Sequence, residues 1–202
     1  MLDVGCVNHT LAATELEDWR HAQIKAVAKS VAGLDYEKEA VEALRKRGEN
    51  VFCGDAQNFD LTKEFPDGFE VIVASEIIEH LVSPGSFIQC ARRHLAPGGE
   101  LIVTTPHACG YAFFLETLIF GEEKINDDHT VSFTGKQMRW LMKKCGMVVS
   151  EFHWLIQDSS NMPVHTTVGA RIAAKIFFWL QCIAATIRPY FSKEMIVVVT
   201  PA

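Results

Sequence analysis

Two hydrophobic rhythms alternate along this chain. Stretches that are apolar on consecutive positions read as strands buried on both faces: Leu2 to Gly5, then VAGLD (31–35), NVFCGD, FEVIVAS and ELIVTTP. The stretches between them repeat at helical spacing. Thr14 and Glu17 form a capping-box pattern around Leu16, Trp19, Ile24, Val27 and Ala28, which predicts a first helix. EKEAVEALRKRG follows as a second, acidic early, basic late and stopped by Gly48. Ser83 and Pro84 open a third, with Phe87, Ile88, Ala91 and Leu95 turned inward. Pro97-Gly98-Gly99 turns the chain into the fifth strand. Thr134 and Gln137 cap a further helix, with Met138, Leu141 and Met142 on one face and Gly146 behind it.

MVVSEFHWLI and EMIVVVT read as the last two strands, an antiparallel pair, because no regular crossover helix pattern separates them. Strands alternating with helices in this way predict an α/β fold with a doubly wound sheet. An apolar helical insert occupies about 157–193, where short connections are the norm. Its uncharged stretch, Ile176 to Ile187, is shorter than the roughly 20 residues needed to span a bilayer. Arg171 and Lys175 share one helical face, and Phe177, Phe178 and Trp179 form an apolar cluster. Four readings stand for the insert: a helix on its own domain's core, a flap over a binding site, a peripheral membrane contact through 168–190, or a homodimer contact.

With 202 residues, 49% of them hydrophobic and 22% charged, one globular domain over 1–202 is expected. A net charge of -6 without a basic run argues against nucleic acid as a partner. The six cysteines lie far apart with no C-x-x-C pair, and several sit in apolar runs as buried thiols would, so a reducing cytoplasm is expected. The chain opens directly on a strand pattern with no signal peptide, so an element that would precede the first strand is expected to be missing.

Ligands of such sheets bind beyond the carboxyl ends of the strands. The polar residues there are Asn8 and His9, Asp35, Asp55, Ser75 with Glu76, and His107. A carboxylate after the second strand suits a ribose diol, because it accepts both hydroxyl protons; Asp35 equally suits a helix cap, and the roles can coexist. Asp55 and Ala56 stand where an adenine edge would lie. Tyr36 is placed to cover the ring, or to sit in the core or at the surface.

Taken in order, LDVGC, VAGLDYEKEAV, GDAQNFDL, FEVIVASEIIEHLVSPGSFI and ARRHLAPGGELIVTTP resemble class I S-adenosylmethionine-dependent methyltransferases, in the small-molecule subgroup with Glu-His-Leu after strand four. The resemblance covers Leu2 to about Cys145. It implies a Rossmann-like seven-stranded sheet in the order 3-2-1-4-5-7-6 with strand 7 antiparallel, in three α/β/α layers, and S-adenosylmethionine as cofactor. It carries cofactor binding onto Asp3 and Gly5, Asp35 for the ribose, Asp55 and Ala56 for the adenine, and Ser75 and Glu76 near the methionine portion. The acceptor it implies is a small molecule, a lipid or a glycan.

The departure is the first loop. The family has further glycines at about Val7 and His9, and the distance from Gly5 to Asp35 is about 30 residues, beyond the roughly 20 of a compact dinucleotide unit. Lost glycines and added length together read as a rebuilt loop, in which Asn8 or His9 meets the methionine carboxylate or amine. For a hydroxyl acceptor the reaction needs a base, and histidine titrates in the right range. His80 and His129 are the candidates, ahead of His107 and His21; Glu79 would orient. No HExxH, Walker loop or spaced ligand set points to a metal, and none is expected. Two other classes remain: a non-catalytic binding protein on this fold, and an NAD-dependent oxidoreductase, which lacks its G-x-G-x-x-G here.

Overall fold

The computed structural model describes residues 1–8, 10–121, 125–155 and 168–202. The apolar runs become β1 (Leu2–Val4), β2 (Ala32–Asp35), β3 (Val51–Cys53), β4 (Phe69–Ser75), β5 (Leu95–Pro106), β6 (Met147–Leu155) and β7 (Glu194–Pro201). They form one sheet in the order β3-β2-β1-β4-β5-β7-β6. β1 to β5 pair in parallel, and β7 runs antiparallel to both β5 and β6. Strand order and the antiparallel direction of β7 are those the resemblance implies. β1 pairs with both β2 and β4, so strand order reverses beside it, and a crevice opens where their carboxyl ends diverge.

Helices α1 (Arg20–Val27), α2 (Lys38–Lys46), α3 (Pro84–His94), α4 (Tyr111–Phe120), α5 (Gly135–Lys144) and α6 (Val168–Ile187) surround the sheet. Alternate strand residues share a face. Leu2, Val4, Leu34, Ile72, Ala74 and Leu101 enter one core together with Phe87 and Ile88 of α3 and Met138 and Met142 of α5. A second core gathers Ala40, Val41 and Leu44 of α2 with Val51, Trp19, Cys6 and Val7. The capping box at α5 forms as expected: the Gln137 N–H donates to Thr134 Oγ1, and Thr134 N–H donates to Gln137 Oε1. Ser83 caps α3 through its carbonyl, while its hydroxyl pairs with that of Ser86.

The first helix departs from its pattern. A 3-10 turn spans Leu11–Glu15, capped by Thr10, whose Oγ1 accepts from Ala13 N–H. Thr14 instead donates its hydroxyl proton to the Leu11 carbonyl, so the Thr14–Glu17 capping box does not form. The chain breaks before Arg20, and residues on either side of the break no longer share a face: Trp19 is buried, whereas Leu16 and Val27 are 59% and 86% exposed. α4 has no counterpart in the sequence reading. All six cysteines are free thiols. Among the described residues, no helix is long and apolar enough to cross a membrane. His9, and the part of the insert before 168, lie outside the described residues.

Candidate active site

Gly5 leaves β1 with a φ of +83°, the left-handed region in which glycine alone is unstrained. A Cβ there would also stand 2.2 Å from Ile77 Cδ1. The loop that follows achieves its shape without further glycines. Asn8 takes the second left-handed position, with φ 56°; a short amide side chain tolerates that conformation better than most. Val7 is fully buried in the α2 core. Trp19 Nε1 donates to the Cys6 carbonyl at 2.7 Å, and Val7 N–H donates to Asp35 Oδ2 at 2.9 Å. Side chains from later in the chain hold what glycine-rich backbone would hold by itself.

Beyond this loop lies a cavity of about 620 Å³. It gathers Gly5, Asn8, Asp35 and Tyr36, then Asp55, Ala56, Ser75 and Glu76. Eight residues chosen from their place along the sequence thus share one wall. Asp35 also holds Glu37 N–H through its Oδ1, so it fastens the first loop and the start of α2 as well as facing the cavity. Burial holds its carboxyl above the usual value, against the opposing pull of backbone donors. Asp55 Oδ1 accepts from Gln57 N–H, and Tyr36 is 72% exposed at the rim. Asp3 is not on this wall. It points to the other face of β1, where its buried carboxylate meets His21 Nδ1 at 2.8 Å.

Glu76 is held in the left-handed region at φ 54°, a strained position for a glutamate. Thr104 fixes it from both sides: Glu76 N–H donates to the Thr104 carbonyl at 3.1 Å, and Thr104 Oγ1 donates to Glu76 Oε1 at 3.0 Å. Burial, then the nearby Glu79 and Glu194 carboxylates, push its carboxyl up to about 7. Arg20 works against that shift; it lines the same cavity and donates to the Ser75 carbonyl at 3.0 Å.

A second cavity, of about 540 Å³, has Glu79 on its wall. Tyr111, Phe113 and Phe114 of α4, with Val131 and Phe191, make it largely apolar, and His129 is on its wall. His80 belongs to the first cavity. The two imidazoles meet edge to face with ring centroids 4.6 Å apart. Glu79 is 1% exposed; Thr105 Oγ1 donates to its Oε2 at 2.9 Å, and burial raises its carboxyl. Its Oε1 has no hydrogen-bond partner in the ionised form, and a protonated Glu76 is the donor within reach. Glu79, His80 and His129 each offer a ligand atom within 4.8 Å of the others, a set that could hold a cation although no ligand spacing in the sequence indicated one.

Residues 1–151 match the family described as "Methyltransferase domain". The chain belongs to this family. A human protein named "Ubiquinone biosynthesis O-methyltransferase, mitochondrial" is 28% identical over 133 residues, 61% of this chain and 32% of that protein. A "Probable S-adenosylmethionine-dependent methyltransferase" of Mycolicibacterium smegmatis is 29% identical over 130 residues, 63% of this chain and 47% of that protein. The chain thus spans less than half the length of these curated relatives. The structure of a "SAM dependent methyltransferase from Archaeoglobus fulgidus" superimposes with a TM-score of 0.62 at 12% identity, over 98% of this chain and 84% of that one, which shows a shared fold.

Within this methyltransferase domain, two lesser histidine candidates are buried in packing roles. His107 is fully buried against Trp154 and Tyr190, its Nδ1 3.3 Å from the Ser192 carbonyl, and burial lowers its pKa. His21 is paired with Asp3. Arg20, Ile77 and the wall of α4 are site residues that the sequence reading missed. For α4 a signal existed: the apolar run YAFFLETLIF lies between Gly110 and Gly121, and Gly121 is a left-handed helix stop.

Proposed function

We propose that this domain transfers a methyl group from S-adenosylmethionine to a small-molecule, lipid or glycan acceptor in the cytoplasm, with the cofactor in the polar cavity and the acceptor in the apolar one. The observation that carries this reading is a pair of unlike cavities, the apolar one lined by Glu79 and His129 and the polar one by His80, with ligand atoms of all three side chains within 4.8 Å of one another. The polar cavity suits the cofactor's parts: Asp35 the ribose hydroxyls, Asp55 and Ala56 the adenine, and Asn8 with Arg20 the methionine carboxylate. Bound there, the cofactor supplies a methyl carbon already activated by a sulfonium.

The chain's own contribution is alignment and proton removal. Glu76, on the wall of that cavity, offers its carboxyl oxygens beside that cation. The apolar wall keeps water away from the acceptor. His80 or His129 takes the proton that a hydroxyl acceptor loses as its oxygen bonds to carbon. Calorimetric titration tests the reading: S-adenosylmethionine and S-adenosylhomocysteine bind in the micromolar range and NADH does not. A folded chain that binds none of them would sink it.

A second reading concerns the proton. The ligand atoms of Glu79, His80 and His129, all within 4.8 Å of one another, favour a divalent cation held among them. A cation held there would lower the pKa of an acceptor hydroxyl. Equilibrium binding of Mn²⁺ tests this directly; it is expected in the native chain and lost in His129→Ala. Equal binding by both would end it.

A further inference from the structure

α6 has two faces, and only one of them is used. Gln181 and Ala185 are buried, and Phe177 and Phe178 are half-buried, so the helix already packs on the domain through that side. The opposite side carries Val168, Ile172, Ile176, Trp179, Ile183 and Ile187, each at least 51% exposed. Their steps of four, four, three, four and four draw one unbroken apolar stripe along the helix. α4 lies against α6 and adds Phe114 and Leu118, which are 62% and 67% exposed. An apolar patch of this extent is more than a soluble surface ordinarily leaves open.

The charges around the stripe say what covers it. The chain as a whole is acidic, with a net charge of -6, yet no acidic residue occurs between Asp158 and Glu194. In the same interval stand Arg171, Lys175, Arg188 and Lys193. Arg171 and Lys175 are exposed and flank the stripe. An apolar stripe whose own segment carries only positive charge, with Glu116 of α4 as the one acid on the two helices, matches an anionic bilayer surface: acyl chains take the apolar residues and headgroups neutralise the bases. Two copies placed face to face would set positive against positive.

We propose that α4 and α6 dock this domain on an anionic membrane surface. The second cavity then opens at the lipid, because Tyr111, Phe114 and Phe191 line its wall, Phe114 belongs to the apolar patch and Phe191 is itself exposed. An amphipathic acceptor passes from the bilayer into that cavity, tail against α4 and reacting group toward Glu79. The path of the acceptor rests on the methyl-transfer reading; the docking does not.

Sedimentation with vesicles tests the docking, using phosphatidylcholine alone and phosphatidylcholine mixed with phosphatidylglycerol. The chain is expected to sediment with the mixed vesicles. The double substitution Ile176→Glu with Trp179→Glu should weaken that binding by about tenfold or more, as should Arg171→Glu with Lys175→Glu. All four side chains are exposed, so circular dichroism and cofactor affinity should stay those of the native chain. Three results would overturn the proposal: a folded chain that ignores both vesicles, apolar substitutions without effect, or a dimer that the same substitutions dissociate with no vesicle binding. A native chain that binds the cofactor but neither kind of vesicle would refute the docking alone. The converse would refute the methyl-transfer reading alone.

Discussion

The two cavities are built on different principles. The polar one is assembled from strand ends, where each β-strand delivers its last residues to one edge of the sheet. Four of its carboxylates, Asp35, Glu37, Asp55 and Glu76, lie within two positions of the ends of β2, β3 and β4, and Asp128 joins them from the segment before α5. The apolar one is assembled from what lies between strands: α4, the segment around His129 and the turn before β7. A sheet fixes the first in position almost automatically. The second depends on how helices and loops settle against one another, and that is where members of one fold can differ in what they accept.

Substitutions should therefore separate the two. The largest effect is expected from Asp35→Ala, which removes two backbone contacts and the proposed ribose ligand together; the cofactor Kd should rise about a hundredfold. An unchanged Kd in a folded variant would remove Asp35 from the site. Histidine substitution at the dividing wall should act on rate instead. His129→Ala should lower kcat by about a hundredfold while leaving the cofactor Kd alone, and a fall in cofactor affinity would show the cavities to be less separate than described. Phe113→Ala, on the apolar side, should raise the acceptor KM about tenfold with no change in cofactor Kd. Gly5→Ala forces a side chain into a left-handed position and against Ile77; a stability loss of about 1–2 kcal/mol is expected in denaturant unfolding.

A change of slope is the subtlest of these readings. Glu76 titrates at about 7 in the fold against 4.5 for the free side chain. Between those values the native state holds more protons than the unfolded one. Its contribution to stability is thus full below about 4.5 and lost as pH rises through about 7. Glu76→Gln should flatten that fall in denaturant midpoints across the interval. Parallel curves for variant and native chain would place the proton on another group.

The sheet was legible because its strands are apolar on consecutive positions and its helices are punctuated by caps and glycines. The polar cavity was legible for the same reason, since naming strand ends names its wall. Arg20 was not, because its helix begins after a break that hydrophobic spacing alone does not reveal. α4 was missed because an apolar run without a polar face has no periodicity to detect. The grouping of His129 with Glu79 and His80 was equally out of reach. It depends on backbone bonds from Thr130 and Val131 to the Glu79 carbonyl, across a gap that no local pattern spans.

Val7 carries one more consequence. A glycine at a cofactor loop shapes the backbone locally, and its loss of order need not involve the rest of the molecule. Here the loop is anchored by a valine inside the same core as Val41 and Leu44 of α2. Ligand recognition and the cooperative melting of that sub-core are thereby one event: the loop opens when the α2 layer opens. Warming the protein should abolish cofactor affinity in step with loss of α2 structure, with no earlier phase in which a folded scaffold carries a frayed loop.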